Sequence, residues 1–116
     1  MYGNALLTDL IYYPSTMLKN HFRMKAKVWQ YPGMAGWHFL SLPKKQSKEI
    51  KSIFEGMSRG WGSLPVNITI GKSKWKTSIF PDKKSGTYLL PLKSEIRKKE
   101  NITEGKTVSF SLEIRI

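Results

Sequence analysis

The sequence of 116 residues has the length of one ordinary domain, because compact domains usually contain roughly 100–150 residues. It contains 20 lysines and arginines against 8 aspartates and glutamates, for a formal net charge of +12, and no cysteine. The globular composition, 40% hydrophobic, excludes a disordered tail. The lack of cysteine excludes disulfides and thiolate sites, while the charge favours anionic partners such as nucleic acid.

The first 23 residues are mildly apolar and less regularly patterned than the rest of the chain. No run approaches the roughly 18 consecutive apolar residues of a membrane span. We predict that residues 1–23 form a peripheral extension, or an over-long reading frame that starts upstream of Met24, and that residues 24–116 form one cytoplasmic domain without a membrane partner. The competing interpretation is a short docking helix carried by Leu6, Leu7, Leu10 and Ile11.

The first half of the domain predicts two strands and a helix. A strand over 25–31 ends at a Pro-Gly turn, and a second over 36–42 has apolar residues on both faces. Leu42-Pro43 should end this second strand, because proline lacks a ladder donor. From Lys44 the apolar residues follow helical spacing, in a stripe formed by Ile50, Ile53, Phe54 and Met57.

The second half predicts four more strands and a brief helix. A strand that opens at Pro65 leads through a hairpin at 71–74 to a strand over 75–80. A polar loop over 81–86 precedes a strand at 87–90, which Leu90-Pro91 should end, and a helix over 92–99. The last strand alternates most cleanly, with apolar residues at Val108, Phe110, Leu112, Ile114 and Ile116. The inventory is a mainly β fold, a small barrel of about six strands with two short helices.

Two segments, 36–56 and 86–105, share one order of features. Each contains a strand, a Leu-Pro dipeptide, a basic helix and a glycine, and an alternating strand follows each of them. This order predicts two pseudo-duplicated halves of a barrel. The alternative is coincidence within a small β domain.

The second of these segments together with the strand that follows it, residues 87–114, resembles the swapped-hairpin motif of AbrB/MazE-type transcription factors and antitoxins. The stretch from Lys25 to Ile116 also resembles a bacterial family of domains of unknown function, sometimes fused to YdeI/OmpD-associated domains. The matching residues include Gly36–Phe39, Gly60–Gly62, Trp75, Thr77–Lys83, Tyr88–Lys93, Ile96-Arg97 and Gly105. This resemblance implies a double-split β-barrel and no established activity. One such chain would supply what AbrB/MazE-like proteins assemble as dimers, so we expect a monomer.

The sequence offers little for catalysis. His38 lies between Trp37 and Phe39, where a packed strand histidine is expected, and the acids are scattered without paired-carboxylate or metal-ligand spacing. No glycine-rich phosphate loop is present in the sequence. We therefore predict no catalytic residue, no metal site and no cofactor.

One constellation has binding potential, around the loop between Phe80 and Tyr88. The candidate residues for binding an anion or nucleic acid are Lys83, Lys84, Arg97, Lys98 and Lys99, which the resemblance implies to lie together. The candidates for a pocket or for ordering the loop are Trp61, Phe80, Asp82 and Tyr88. Cations interleaved with aromatics suit anionic or stacking ligands. The structural alternative is that Asp82 caps a turn, the aromatics belong to the core and the lysines are merely solvated.

A second basic patch, formed by Lys72, Lys74 and Lys76, lies along a hairpin. Its basic character has a sufficient structural explanation, because lysines protect an edge strand from aggregation. The sequence therefore predicts a non-catalytic binding module for a polyanion such as nucleic acid. The alternative is a small-molecule-binding domain, or an accessory domain of an enzyme system with no activity of its own.

Overall fold

The computed structural model describes residues 19–34 and 36–115. It contains six strands: β1 (His21–Gln30), β2 (His38–Ser41), β3 (Leu64–Ile70), β4 (Ser73–Asp82), β5 (Thr87–Leu92) and β6 (Thr107–Ile114). The helices are α1 (Lys44–Phe54) and α2 (Ser94–Lys99), and 3₁₀ turns occupy Glu55–Met57 and Gly60–Gly62. All neighbouring strands are antiparallel and close in the order β1-β2-β5-β4-β3-β6. The predicted mainly β barrel with six strands and two short helices is confirmed. Across the described ranges, no helix is long and apolar enough to cross a membrane.

Alternation of apolar residues fills the barrel interior, as the sequence predicted for β3 and β6. Val66 and Ile68 of β3 are fully buried, and Phe110 and Leu112 of β6 are almost so. Side chains of a strand point alternately to its two faces, so each inward residue is separated from the next by a polar, outward one. Ile116 lies outside the described residues.

Helix α1 closes one side of the barrel, but its buried face differs from the predicted stripe. Ile50 and Phe54 are buried, whereas Ile53 is only half-buried and Met57 is 42% exposed, because α1 ends at Phe54 and a 3₁₀ turn redirects the chain. The third buried residue of α1 is Ser47, whose Oγ donates to the Leu42 carbonyl at 3.3 Å and accepts from the Tyr88 amide at 3.1 Å. A polar residue therefore joins α1 to β5.

Strand β1 begins earlier than predicted. His21, Phe22 and Arg23, assigned from the sequence to the extension, pair with β6, and Phe22 faces Leu112 with only 3% of its surface exposed. These three residues belong to the barrel. The rest of the predicted extension, residues 1–18, including the apolar residues of the competing docking helix, lies outside the described residues.

Strand β5 does not end at Leu90 as predicted, but continues through Pro91 to Leu92. Backbone groups in a ladder point alternately to one neighbour and the other. Because the Tyr88 carbonyl accepts from Leu42 on the β2 side, the backbone of Pro91 faces the β4 side. There β5 pairs with β4 only through residues 87–89, so the missing N–H of Pro91 removes no ladder bond.

The strand pairing has an internal two-fold pattern. If β1 is exchanged with β4, β2 with β5 and β3 with β6, every pair of neighbouring strands becomes another pair of neighbours. A helix follows β2 and another follows β5, which agrees with two similar halves. The two Leu-Pro dipeptides are nevertheless not equivalent, since Pro43 directly precedes α1 whereas Pro91 lies inside β5.

Candidate binding groove and basic surfaces

A groove of about 710 Å³ lies on the barrel wall where β4 changes its partner. Residues 73–79 of β4 pair with β3, and only residues 80–82 pair with β5. Along the first of these segments β4 and β5 are not hydrogen-bonded to each other, and the wall opens between them. We call this opening the β4 groove; it is lined by Trp37, Phe39, Lys76, Thr77, Ser78, Phe80, Leu89, Pro91 and Arg115.

Aromatic side chains dominate the outer surface beside the groove. The Phe39 ring centroid lies 5.2 Å from that of Trp29, 6.0 Å from that of Trp37 and 6.3 Å from that of Tyr31. Phe39 is buried by these neighbours, while Trp37 and Phe80 remain 55% and 41% exposed. Large exposed aromatics around a concave surface are typical of a binding site.

Two polar atoms near the groove have no partner among the residues that the structure describes. One is Nε of Arg115, which lines the groove, and the other is Nδ1 of His38, in the adjoining depression beside Trp37. A buried donor without a hydrogen bond is costly, and the arginine that carries this unsatisfied donor lines the groove.

The loop that the sequence singled out is a tight turn between β4 and β5. Asp82 accepts a hydrogen bond from Ser85 Oγ at 2.7 Å, and its carbonyl accepts from the Gly86 amide at 2.8 Å, so Asp82 orders the turn. Lys83 and Lys84 are exposed at the tip. Trp61 lies at the same end of β4, since its neighbour Gly62 packs against Pro81, and Trp61 is 95% exposed.

The three basic residues of α2 lie at the other end of β4. Lys99 shares a depression with Lys72 and Lys74 near the start of β4, and a ten-residue strand spans about 30 Å. The structure therefore does not bring Lys83 and Lys84 together with the basic residues of α2.

The role of Arg97 also differs from that of its neighbours on α2. Its Nε donates to the Leu92 carbonyl and its Nη2 to the Gly36 carbonyl, both at 3.1 Å, so Arg97 holds α2 to β5 and to the segment before β2. Lys98 and Lys99 are exposed.

Cations do converge around the depression between α2 and the start of β4. It is lined by Lys72, Lys74, Lys93 and Lys99, here called the lysine cluster, together with Glu95 and Glu100. Glu100 accepts from Ser73 Oγ at 2.7 Å, and Glu95 lies 3.8 Å from the Lys93 amine. Four lysines against two glutamates leave this surface locally positive. Two of the three lysines that the sequence assigned to edge protection, Lys72 and Lys74, thus join Lys93, which directly precedes α2, and Lys99 at the end of α2.

The two aromatics that flank the predicted loop separate. Phe80 points outward into the β4 groove, whereas Tyr88 is a buried member of the core. Burial raises the pKa of Tyr88 above its ordinary value of 10.0, and the negative charge of Glu55 adds to this effect. Tyr88 is therefore a structural residue.

Sequence reasoning missed most of the groove, including Trp37, Pro91 and Arg115. The available signal was β2, whose apolar residues on both faces were interpreted as a strand covered twice. In a barrel only one face looks inward, so apolar residues on the other face, such as Phe39, indicate an apolar outer surface.

Comparison with known proteins gives one family match. The sequence model of a domain of unknown function, DUF1905, matches residues 24–112, which is most of the barrel. No curated protein matches the chain.

Proposed function

The chain belongs to the DUF1905 family, whose description assigns no function, and we propose that it is a non-catalytic binding module for a polyanion such as nucleic acid. The observation that carries this proposal is the lysine cluster, in which cations from the β3–β4 turn, from β4 and from α2 surround one depression. The overall charge of +12 adds a long-range attraction for anions.

The second candidate function is a small-molecule-binding or accessory domain. The observation that favours it is the β4 groove, whose volume of about 710 Å³ lies in the range of roughly 300–1,000 Å³ typical of small-ligand sites. Its mainly apolar lining with two cationic groups, Lys76 and Arg115, would suit a small amphipathic acid.

Fluorescence anisotropy titrations of duplex DNA, single-stranded DNA and RNA at two salt concentrations test the first proposal. Each phosphate neutralised on duplex DNA contributes about −0.9 to the slope of log affinity against log salt. Reversal of Lys72 and Lys99 to glutamate should weaken binding to all sequences and flatten this slope. The matched control reverses Lys83 and Lys84, which lie at the other end of β4, and should have a smaller effect.

No binding at low salt, where nonspecific attraction is strongest, would refute the polyanion proposal and favour the small-molecule candidate. A larger effect of Lys83 and Lys84 than of the lysine cluster would instead place the polyanion site at the β4–β5 turn.

We further propose that the barrel is of the double-split type, distantly AbrB/MazE-like, and of bacterial origin. The change of partner along β1 and β4, and the two-fold pairing pattern, support this assignment. A monomer in the cytoplasm remains our prediction for its state and location.

A further inference from the structure

The feature that carries the inference is a free strand edge inside the β4 groove. The backbone amide of Arg115 donates to the Pro65 carbonyl at 2.8 Å. The backbone groups of the odd-numbered residues of β3 therefore face β6, and those of the even-numbered residues face β4. Their partners on β4 are Ser73, Trp75, Thr77 and Ile79. The amides and carbonyls of Lys74, Lys76 and Ser78 therefore point away from β3, towards the groove.

These three residues have no backbone partner in the part of the chain that the structure describes. From Lys74 to Ser78 the edge extends about 14 Å, at about 3.4 Å per residue. On the opposite side of the groove, β5 offers only the carbonyl of Pro91, which has no N–H. An unpaired strand edge is a template for another strand, and on this side of the groove β4 provides such an edge.

From this geometry we infer that the β4 groove binds an extended acidic peptide, which adds to β4 as an antiparallel strand. Residues directly opposite each other in an antiparallel pair have side chains on the same face of the sheet. Peptide residues opposite Lys74 and Lys76 would therefore lie beside the two exposed lysine side chains. Opposite charges in such cross-strand pairs are stabilising, so acidic residues are favoured at these positions.

The intervening peptide residues point to the other face, towards Trp75, Thr77 and Leu92, which line the depression that adjoins the groove. This lining favours apolar side chains. The expected ligand thus alternates acidic and apolar residues. Arg115, with its unpartnered buried Nε, provides a further cation at the groove for an acidic side chain or a terminal carboxylate.

The lysines of the edge also decide against other occupants. Lysine on a strand edge discourages pairing with neutral or basic chains, and a second copy of this chain carries +12 charge. A nucleic acid would gain from the cations and the exposed aromatics, but it lacks the regular amide and carbonyl spacing that the edge of β4 matches. An acidic peptide would pair its carboxylates with the lysines of β4 and its backbone amides and carbonyls with the unpaired backbone groups of the same strand.

The test uses a fluorescein-labelled peptide of seven residues that alternates glutamate and valine, the acidic probe. In one derivative the glutamate amides are N-methylated, and in the other the valine amides are. Only the glutamate amides face β4 in the register that the lysines impose. We expect the first derivative to bind the full-length protein about tenfold or more weakly than the parent probe, and the second to bind like the parent.

Amide hydrogen exchange locates the peptide. Binding of the acidic probe should slow exchange at Lys74, Lys76 and Ser78. The control amides are those of Asn67 and Thr69, which face β6 and not the groove, and exchange there should not change. Lys76→Glu should lower the affinity for the acidic probe about tenfold, whereas Lys83→Glu should leave this affinity unchanged.

Three outcomes would overturn the inference. They are equal affinity of the two methylated derivatives, no slowing of exchange at the β4 edge, and slowing at the same amides by a single-stranded DNA oligonucleotide that displaces the probe. The last result would identify the β4 groove as a nucleic-acid-binding site. If the polyanion proposal fails, this inference stays intact, because its decisive readouts are the amides of Lys76 and Ser78, which line the β4 groove and do not belong to the lysine cluster.

Discussion

Replacement of Arg97 separates its structural role from the anion-binding role that its position on a basic helix predicted. We expect Arg97→Ala to lower the free energy of unfolding by about 1–3 kcal/mol. Hydrogen bonds made by charged groups contribute about 1.5–3 kcal/mol. The bond to the Leu92 carbonyl is partly buried, while the bond to the Gly36 carbonyl is exposed and contributes less because water competes for it.

Urea unfolding followed by tryptophan fluorescence measures this difference, and an unchanged slope would show that the compactness of the two states is preserved. The matched control is Lys98→Ala, because Lys98 lies on the same helix and is exposed. Its free energy of unfolding should stay within about 0.5 kcal/mol of that of the parent. Arg97→Lys should fall between them, because an ammonium group cannot reproduce the guanidinium fork that reaches both carbonyls.

Arg97 also fixes Gly36, the residue before Trp37, at one wall of the β4 groove. Amide exchange at Trp37 should therefore become faster in Arg97→Ala and stay unchanged in Lys98→Ala. Equal unfolding midpoints for the two alanine variants would refute the structural role of Arg97. Arg97 would then again be a candidate anion-binding residue.

Three further predictions concern the core, the start of the barrel and pH. Phe110→Ala should cost about 3–5 kcal/mol and Ile53→Ala only about 1–2 kcal/mol, because Phe110 is 4% exposed whereas Ile53 is half-buried; equal losses in urea unfolding would contradict the assigned faces. A chain that begins at Met24 lacks Phe22 and should lose at least about 2 kcal/mol relative to one that begins at Lys19, and identical melting of the two would show that Phe22 contributes nothing. Because the pKa of Tyr88 is higher in the folded state, its contribution to stability is complete below the ordinary value of 10.0 and is lost as the pH rises above it. Tyr88→Phe should therefore flatten the decline of stability in alkaline urea titrations, and an unchanged slope would contradict this.

The elements that the sequence alone predicted are those whose pattern is local. The alternation in β3 and β6 has period two, and the spacing of Ile50 and Phe54 has the period of a helix, so each follows from a few neighbouring side chains. The barrel class followed from the number and spacing of these elements. The end of β5 did not, because whether Pro91 interrupts a strand depends on which neighbour its backbone faces.

The binding surfaces divide in the same way. The basic character of the chain follows from the sequence, which also made Phe80 a candidate pocket residue, and Phe80 lines the β4 groove in the structure. The lysine cluster combines Lys72 and Lys74 with Lys93 and Lys99, which follow 19 to 27 positions later in the chain, so their proximity depends on how the strands close. The resemblance implied that Lys83 lies beside the α2 cations instead, and the residues could not correct this, because a basic loop and a basic helix carry no information about which end of β4 each one meets.

The free edge of β4 is the property that only the tertiary structure decided. No residue type marks it, since Lys74, Lys76 and Ser78 are ordinary for any exposed strand. It exists because β4 follows β3 for seven residues and β5 for only three. Local sequence determines the direction of each side chain through the pleat, but the partner of each amide is determined by long-range closure of the barrel.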